Sequence, residues 1–274
     1  PDVKILINID QNGGRNEINR VFSIVKNKAD FLSWHTVYTA FAKDSLSFEE
    51  QYYEFAVGSY YTEWQNHNLI NLLREYGLNN ILSSPSEYWI QYAGEDDWII
   101  DTMAISRSLE SGIGDINFVH AFVKDWKITG PACRVLFLGF TKSGISHDNK
   151  RVFFGTPGYY ALSMFFNHHG KSYIPSLFVG DRLSAKEDYK RPYFFDVPIV
   201  DVAISKSDDS TYISIINRPL YDSTEITFNF GKMKMDGKIK KYELYSEHIY
   251  DNNSSDEPFN IIPKISQIQA NEVF

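Results

Sequence analysis

The first half of the chain alternates short apolar runs with amphipathic stretches. Residues 3–9 form a nearly continuous apolar run, which is typical of a buried parallel strand. Apolar residues then recur at Ile18, Val21, Phe22 and Val25, the spacing of a helix that buries one face. The same alternation predicts a strand at 31–38 and a helical region from about 48 to 76, which is broken near Gly58 and stopped by Gly77. A strand from about 80 to 86 follows and ends at Glu87.

Less regular spacing follows. Asp96 and Asp97 are candidate caps for a helix that begins near Trp98 and ends at Gly112, and residues 115–123 predict a fourth strand. The apolar run 134–138 predicts a hairpin with residues 151–154. Thr156 followed by Pro157 predicts the start of a helix that stops near Gly170.

After residue 170 the pattern changes to short strands separated by turn formers. Strands are predicted at 199–205, 212–217, 225–230 and 238–245, with turns at 208–210, 222–223 and 236–237. We therefore expect two domains, an α/β domain at 1–170 and an antiparallel β-sandwich at 171–274.

Strands that are joined by helices run parallel, with right-handed crossovers. The four β/α units predict either a small open sheet or half of an eight-stranded (β/α)8 barrel. In such barrels the chemistry lies at the carboxyl ends of the strands. Because His35, Glu87 and His120 all fall at or near predicted strand ends, the half-barrel is favoured.

Composition excludes several classes of function. The formal net charge of −8 argues against a nucleic-acid partner, which requires a basic face. The single cysteine, Cys133, excludes an internal disulfide framework, and no apolar stretch approaches the roughly 18 residues of a membrane span. We expect a soluble protein, cytoplasmic or secreted.

No cofactor is indicated. The chain has neither a Gly-x-x-x-x-Gly-Lys phosphate loop nor a Gly-x-Ser-x-Gly nucleophile elbow. His168 and His169 lack the spacing and the neighbouring cysteines of a zinc site, and a helix end explains them better, so we expect no metal.

Four segments, in this order, resemble the α-L-arabinofuranosidases of glycoside hydrolase family 51. They are residues 31–38 with His35, the run Ser86-Glu87-Tyr88-Trp89, the stretch from Thr156-Pro157 to His168-His169-Gly170, and residues 213–218 followed by Glu257-Pro258 and Ile262-Pro263. That family joins a (β/α)8 barrel to a C-terminal β-sandwich. The resemblance implies that this chain covers barrel strands five to eight and the sandwich.

The resemblance also implies roles for individual residues. Glu87 corresponds to the family's nucleophile. The alternative is an ordinary surface glutamate at the start of a loop, and the strand end and the aromatic neighbours favour the nucleophile. His35 and Tyr38 would lie near the sugar, one of them orienting Glu87. Trp34 and Trp89 would form a sugar platform or pack beneath the helices, and His120 is a weaker substrate-binding candidate on the predicted fourth strand.

The second carboxylate that retaining hydrolysis requires, about 5 Å from the nucleophile, is not evident. In the family it follows an asparagine at the end of the fourth barrel strand, and that half of the barrel is absent here. We therefore expect a second polypeptide to supply the acid/base and to complete the barrel. The alternatives are a non-catalytic sugar-binding or scaffold subunit, or a fragment of a longer polypeptide.

Overall fold

The computed structural model describes residues 3–8, 14–25, 28–41, 47–93, 108–132, 141–183, 197–231 and 238–269. The helices are α1 Gly14–Val25, α2 Phe48–Ala56, α3 Gly58–Glu75, α4 Leu109–Lys124 and α5 Pro157–Asn167. The strands are β1 Leu6–Asn8, β2 Phe31–Phe41, β3 Leu82–Ala93, β4 Thr141–Ile145, β5 Arg151–Gly155, β6 Ser172–Ile174, β7 Arg182–Leu183, β8 Val197–Pro198, β9 Val200–Lys206, β10 Thr211–Asn217, β11 Lys238–Glu243 and β12 Lys264–Gln269.

A parallel sheet in the order β1-β2-β3 organises the first half. After α4 the chain returns beside β3, where Thr129 forms a parallel bridge with Ser83. The residues that follow Thr129 include the apolar run 134–138, which lies outside the described residues.

Helices pack on one face of this sheet. Leu32 of β2 is buried in a cluster with Phe22 of α1 and with Ile70 and Leu73 of α3. Thr36 continues the contact four residues along β2, where its Oγ1 lies 2.9 Å from Thr62 Oγ1 on α3. Since side chains alternate across a strand, Leu32, Trp34 and Thr36 share the helix-covered face, and Ser33 and His35 share the opposite one.

The predicted helix boundaries are confirmed where local signals are strong. Ser47 and Glu50 form a reciprocal capping box at the start of α2. The break near Gly58 separates α2 from α3, and Gly77 follows α3 with a φ of 71°, a left-handed conformation that favours glycine. Thr156 caps α5 and accepts a hydrogen bond from the Tyr159 N–H.

The second half contains small antiparallel sheets. Their orders are β10-β9-β6, β11-β12, β4-β5 and β7-β8. Ala203 of β9 and Ile216 of β10 pack on Ile116 and Val119 of α4 and on Phe165 of α5. The antiparallel part therefore shares a core with the helices.

Two strand predictions are wrong. Residues 115–123 belong to α4, nearly all of which is buried; a helix that is buried all round shows the same apolar run as a buried strand, so periodicity does not distinguish them. Gly112 lies inside α4 rather than at a helix end, at a close approach to the Pro157 backbone. Residues 225–230 alternate in exposure as a strand does, but they form no strand within the described part of the chain.

The hairpin prediction is right about residues 151–154 but names the wrong partner. These residues lie in β5, which pairs with β4 at Thr141–Ile145. The predicted helix that begins near Trp98 lies outside the described residues up to 107.

Candidate active site

His35 and Glu87 face each other across two parallel strands. They are register partners on β2 and β3, immediately after an irregularity between Trp34 and His35 that leaves Ser86 without a register partner. The His35 Nδ1 lies 3.3 Å from the Glu87 Oε2. The side chains are 51% and 31% exposed, so both are accessible from solvent.

The neighbour of Glu87 shows which way the carboxylate points. Tyr88 is buried against Phe55 of α2 and against Phe118 and Phe122 of α4. Because consecutive strand residues point to opposite faces, Glu87 lies on the face of the sheet that these helices do not cover. A part-exposed carboxylate beside an imidazole can act as a nucleophile or as a general base.

The sequence predicted His35 and Glu87 at or near the ends of their strands, and this prediction is wrong. β2 continues to Phe41 and β3 to Ala93, so the pair occupies the middle of both strands. The register irregularity, not a strand terminus, brings the two side chains opposite one another. Within the described strands β1, β2 and β3, Glu87 is the only carboxylate.

The structure separates the two alternatives for Trp34. Its side chain is fully buried, and its Nε1 donates a hydrogen bond of 2.6 Å to the Ser83 Oγ. A stacking platform requires an open ring face, so the structure supports the alternative in which Trp34 packs beneath the helices. The backbones of Tyr38 and Trp89 lie in β2 and β3, but their side chains lie outside the described part of the structure.

His120 does not join Glu87, and its assignment to a strand end is wrong. It lies on α4, is fully buried, and places its Nε2 2.8 Å from the Ser214 Oγ of β10. Its Nδ1 lies 3.6 Å from the Asp201 Oδ2 of β9. Burial lowers the pKa of His120, so the ring is neutral and serves as a hydrogen-bonding residue between the helix and the antiparallel sheet.

A buried ionic network surrounds His120, and the sequence analysis missed it. The fully buried Arg218 donates to the Asp201 Oδ2 at 2.9 Å, to the Asn117 Oδ1 at 2.8 Å and to the Pro198 carbonyl at 2.7 Å. Lys124 also contacts Asp201. Burial would raise the pKa of Asp201, but the interaction with the neighbouring His120 and the charges of Arg218 and Lys124 hold that pKa below its ordinary value.

No local motif marks this network, because its members lie on α4, on β8 and β9 and directly after β10. The sequence contained one hint, which is an arginine directly after a predicted strand that ends in Asn217.

His168 and His169 occupy the end of α5, as expected. The Nδ1 atoms lie 2.8 Å from the Met164 carbonyl and 3.0 Å from the Phe166 carbonyl, respectively. These contacts satisfy carbonyl groups that a helix end leaves unpaired. Both residues also line a cavity of about 320 Å³ beside β6, β9 and β10.

Among the described residues, no helix is both long and apolar enough to cross a membrane.

Comparisons with known proteins agree with this architecture. No protein-family model matches the chain, and no curated protein sequence does. Solved structures do match. The α-L-arabinofuranosidase from Thermotoga maritima aligns with a TM-score of 0.74 and 18% identity over 99% of this chain and 55% of its own. The family 51 α-L-arabinofuranosidase from Thermotoga petrophila aligns with a TM-score of 0.78 and 17% identity over the same shares.

A third solved structure has a similar fold at lower sequence identity. The family 51 α-L-arabinofuranosidase from Bifidobacterium longum has a TM-score of 0.72 and 10% identity over 98% of this chain and 58% of its own. The chain thus spans little more than half the length of the structures it matches. At these identities the likeness concerns the fold, and it confirms the resemblance on which the sequence analysis relied. The chain has the mixed α/β fold of part of a glycoside hydrolase family 51 α-L-arabinofuranosidase.

Proposed function

We propose that this chain is the nucleophile-bearing part of a retaining glycoside hydrolase that acts on arabinose-containing or related plant-type saccharides. Glu87 attacks the anomeric carbon and forms a glycosyl-enzyme ester, which water then hydrolyses. The leaving-group oxygen takes its proton from an acid that lies outside the described strands. The reaction needs no metal and no organic cofactor.

One observation carries the proposal: the Glu87 carboxylate lies 3.3 Å from His35 on the uncovered face of a parallel sheet. Contact with the imidazole restricts the rotation of the carboxylate, as a nucleophile requires. The fold of the matched structures, which are named as arabinofuranosidases, supports the choice of sugar.

The three described parallel strands leave a sheet that needs further strands on at least one edge. We propose that residues 1–170 form strands five to eight of a (β/α)8 barrel and that residues 171–274 form a β-sandwich. Strands one to four, with the acid/base carboxylate, then come from a second polypeptide or from another segment of a longer chain. The matched structures are long enough to contain both halves, since this chain covers only 55% of the first two.

Covalent trapping tests the nucleophile. The chain is co-expressed with the candidate partner or flanking segment, and the assembly is incubated with an arabinofuranose-configured cyclitol aziridine, which forms a stable ester with a nucleophilic carboxylate. Intact-mass spectrometry is expected to show one adduct, and peptide mapping to place it on Glu87. Glu87→Gln is expected to abolish both the adduct and hydrolysis while leaving assembly intact.

Glu75→Gln provides the matched control, because Glu75 is an exposed glutamate at the end of α3. This variant is expected to keep both the adduct and turnover. An adduct on another carboxylate, or turnover by Glu87→Gln equal to that of the unmodified protein, would refute the assignment.

The second candidate is a non-catalytic sugar-binding or scaffold subunit. The observation that favours it is the single carboxylate within the described strands β1–β3. Under this hypothesis the assembly binds arabino-oligosaccharide in calorimetry, forms no adduct, and binds equally well after Glu87→Gln.

A further inference from the structure

A second cluster of ionisable side chains lies where α3 meets the end of α4. Glu63 and His67 are one helical turn apart on α3, and Asp125 directly follows α4. Residues four apart project from the same helix face, so both α3 side chains point toward Asp125. One ligand-capable atom from each of the three residues lies within 4.8 Å of the other two.

The atoms of this cluster satisfy one another only in part. His67 Nε2 lies 2.9 Å from Asp125 Oδ2, yet this oxygen is buried and lacks a hydrogen-bond donor of good geometry. Asn66, which shares the same side of α3, is also buried, and its Oδ1 has no hydrogen-bond partner. The Asn66 Nδ2 donates a hydrogen bond of 2.9 Å to the Thr129 Oγ1, and this bond holds the Asn66 side chain next to the end of α4.

The local charge is also incompletely balanced. Burial raises the pKa of Glu63, and the charge of Asp125 raises it further. Burial likewise raises the pKa of Asp125, despite the neighbouring His67 and Asn66. The charge of Lys124 lowers both pKa values, but its ammonium group is in direct contact with Asp201. Two part-buried carboxylates close to one another favour a bound cation.

We propose that Glu63, His67 and Asp125 bind a divalent transition-metal ion such as Zn²⁺. One imidazole and two carboxylates are a ligand set that Zn²⁺ accepts, whereas Mg²⁺ and Ca²⁺ prefer oxygen ligands alone. Metal–ligand bonds of about 2.0–2.2 Å place ligand atoms about 3–3.6 Å apart, so a small rotamer shift closes the site. His67 is half exposed, which leaves a path for the ion from solvent.

The metal would join two helices that pack behind β2 and β3, so its role is to stabilise the helix layer. This site is separate from the His35–Glu87 pair, and the inference is independent of the proposed hydrolase activity. Along the sequence only His168 and His169 stand out as a metal pair, because Asp125 is distant from Glu63 and His67 along the chain.

The test uses the full 274-residue chain after treatment with EDTA and removal of the chelator. Zn²⁺ is titrated by calorimetry, and Co²⁺ is added as a spectroscopic probe of a low-coordinate site. One equivalent is expected to bind, Co²⁺ is expected to produce visible d–d absorption, and Zn²⁺ at 100 times its Kd is expected to raise Tm by about 5 °C or more.

Three variants make the test specific. His67→Ala and the nearly isosteric Glu63→Gln are each expected to weaken binding at least tenfold and to abolish the Tm increase. His248→Ala, which removes an exposed histidine in another part of the chain, is the matched control and is expected to bind as the unmodified chain does. Far-ultraviolet circular dichroism of each metal-free variant verifies that it is folded.

The absence of stoichiometric binding by the folded unmodified chain would overturn the proposal. Equal affinity in Glu63→Gln and the unmodified chain would do the same, because that variant preserves side-chain volume and removes only the charged ligand. Loss of binding in His248→Ala would place the metal elsewhere and would likewise refute the site.

Discussion

The Arg218 guanidinium offers a quantitative test of how α4 is joined to the antiparallel strands. Arg218→Met keeps a linear side chain of similar volume and removes the charge. The guanidinium makes three hydrogen bonds of 2.7–2.9 Å, to Asp201, Asn117 and the Pro198 carbonyl, and the residue is fully buried. Removing it leaves the buried Asn117 Oδ1 and the part-buried Pro198 carbonyl without this donor and takes one cation from Asp201.

The expected loss of unfolding free energy follows from these contacts. Removing one partner of a buried ion pair costs about 3–5 kcal/mol, mainly because the other charge stays buried. Here Lys124 remains in contact with Asp201 and continues to balance its charge, so we expect the low end, about 3 kcal/mol. For a domain of this size the corresponding decrease in Tm is about 6–12 °C.

Urea unfolding, followed by tryptophan fluorescence and circular dichroism, measures this loss. A double-mutant cycle with Asp201→Asn isolates the pairwise energy, for which we expect about 1–3 kcal/mol. Lys241→Met is the matched control: Lys241 pairs with Glu243 at 2.8 Å, but both side chains are more than 40% exposed. Its expected loss is below about 1 kcal/mol.

An Arg218→Met loss below 1 kcal/mol, or one equal to the Lys241→Met loss, would refute the reasoning. Either result would mean that the buried guanidinium gains no more from its partners than it loses in hydration.

Two further predictions concern His120 on α4 and Gly170, which lies against the end of β9. Because burial lowers the pKa of His120, the unfolded chain takes up a proton near pH 6.5 that the folded chain does not. The unfolding free energy should therefore fall as the pH drops from about 6.5 to 5, by up to about 1.4 kcal/mol per pH unit. In urea titrations at several pH values, His120→Gln should show a smaller dependence of the unfolding free energy on pH. Asp201, whose pKa is lowered, contributes stability above about pH 3.9 that is lost at more acidic pH, so its effect is separable. Gly170→Ala should lower the unfolding free energy by about 1–3 kcal/mol in the same assay, because the added Cβ would overlap the Lys206 backbone. Ser172→Ala, an exposed change two residues away, is the control. Equal losses in the two variants would contradict the clash.

The sequence predicted the elements whose signals are local. The cap at Thr156 and the glycine at 77 act through contacts within a few residues, so the start of α5 and the end of α3 follow from them. The motif around Glu87 also has a local character, since an acidic residue among aromatic ones is visible along a single strand.

Features that depend on distant contacts were wrong or were missed. The sequence of α4 resembles that of a strand because its neighbours bury the helix on nearly all sides. His120 was therefore expected near Glu87, but it lies in a buried interface. The Arg218 network and the Glu63–His67–Asp125 cluster each join residues from separate elements.

The sequence by itself predicted the alternation of strands and helices in the first half and the cap at Thr156, and the family resemblance proposed Glu87 as the candidate nucleophile. Only the tertiary structure decided that His35 lies opposite Glu87 while Trp34 is buried, because the register between β2 and β3 depends on pairing across the sheet. Strand periodicity separates the two faces but does not say which face the helices cover. That choice depends on how α2, α3 and α4 pack, and packing is a property of the whole chain.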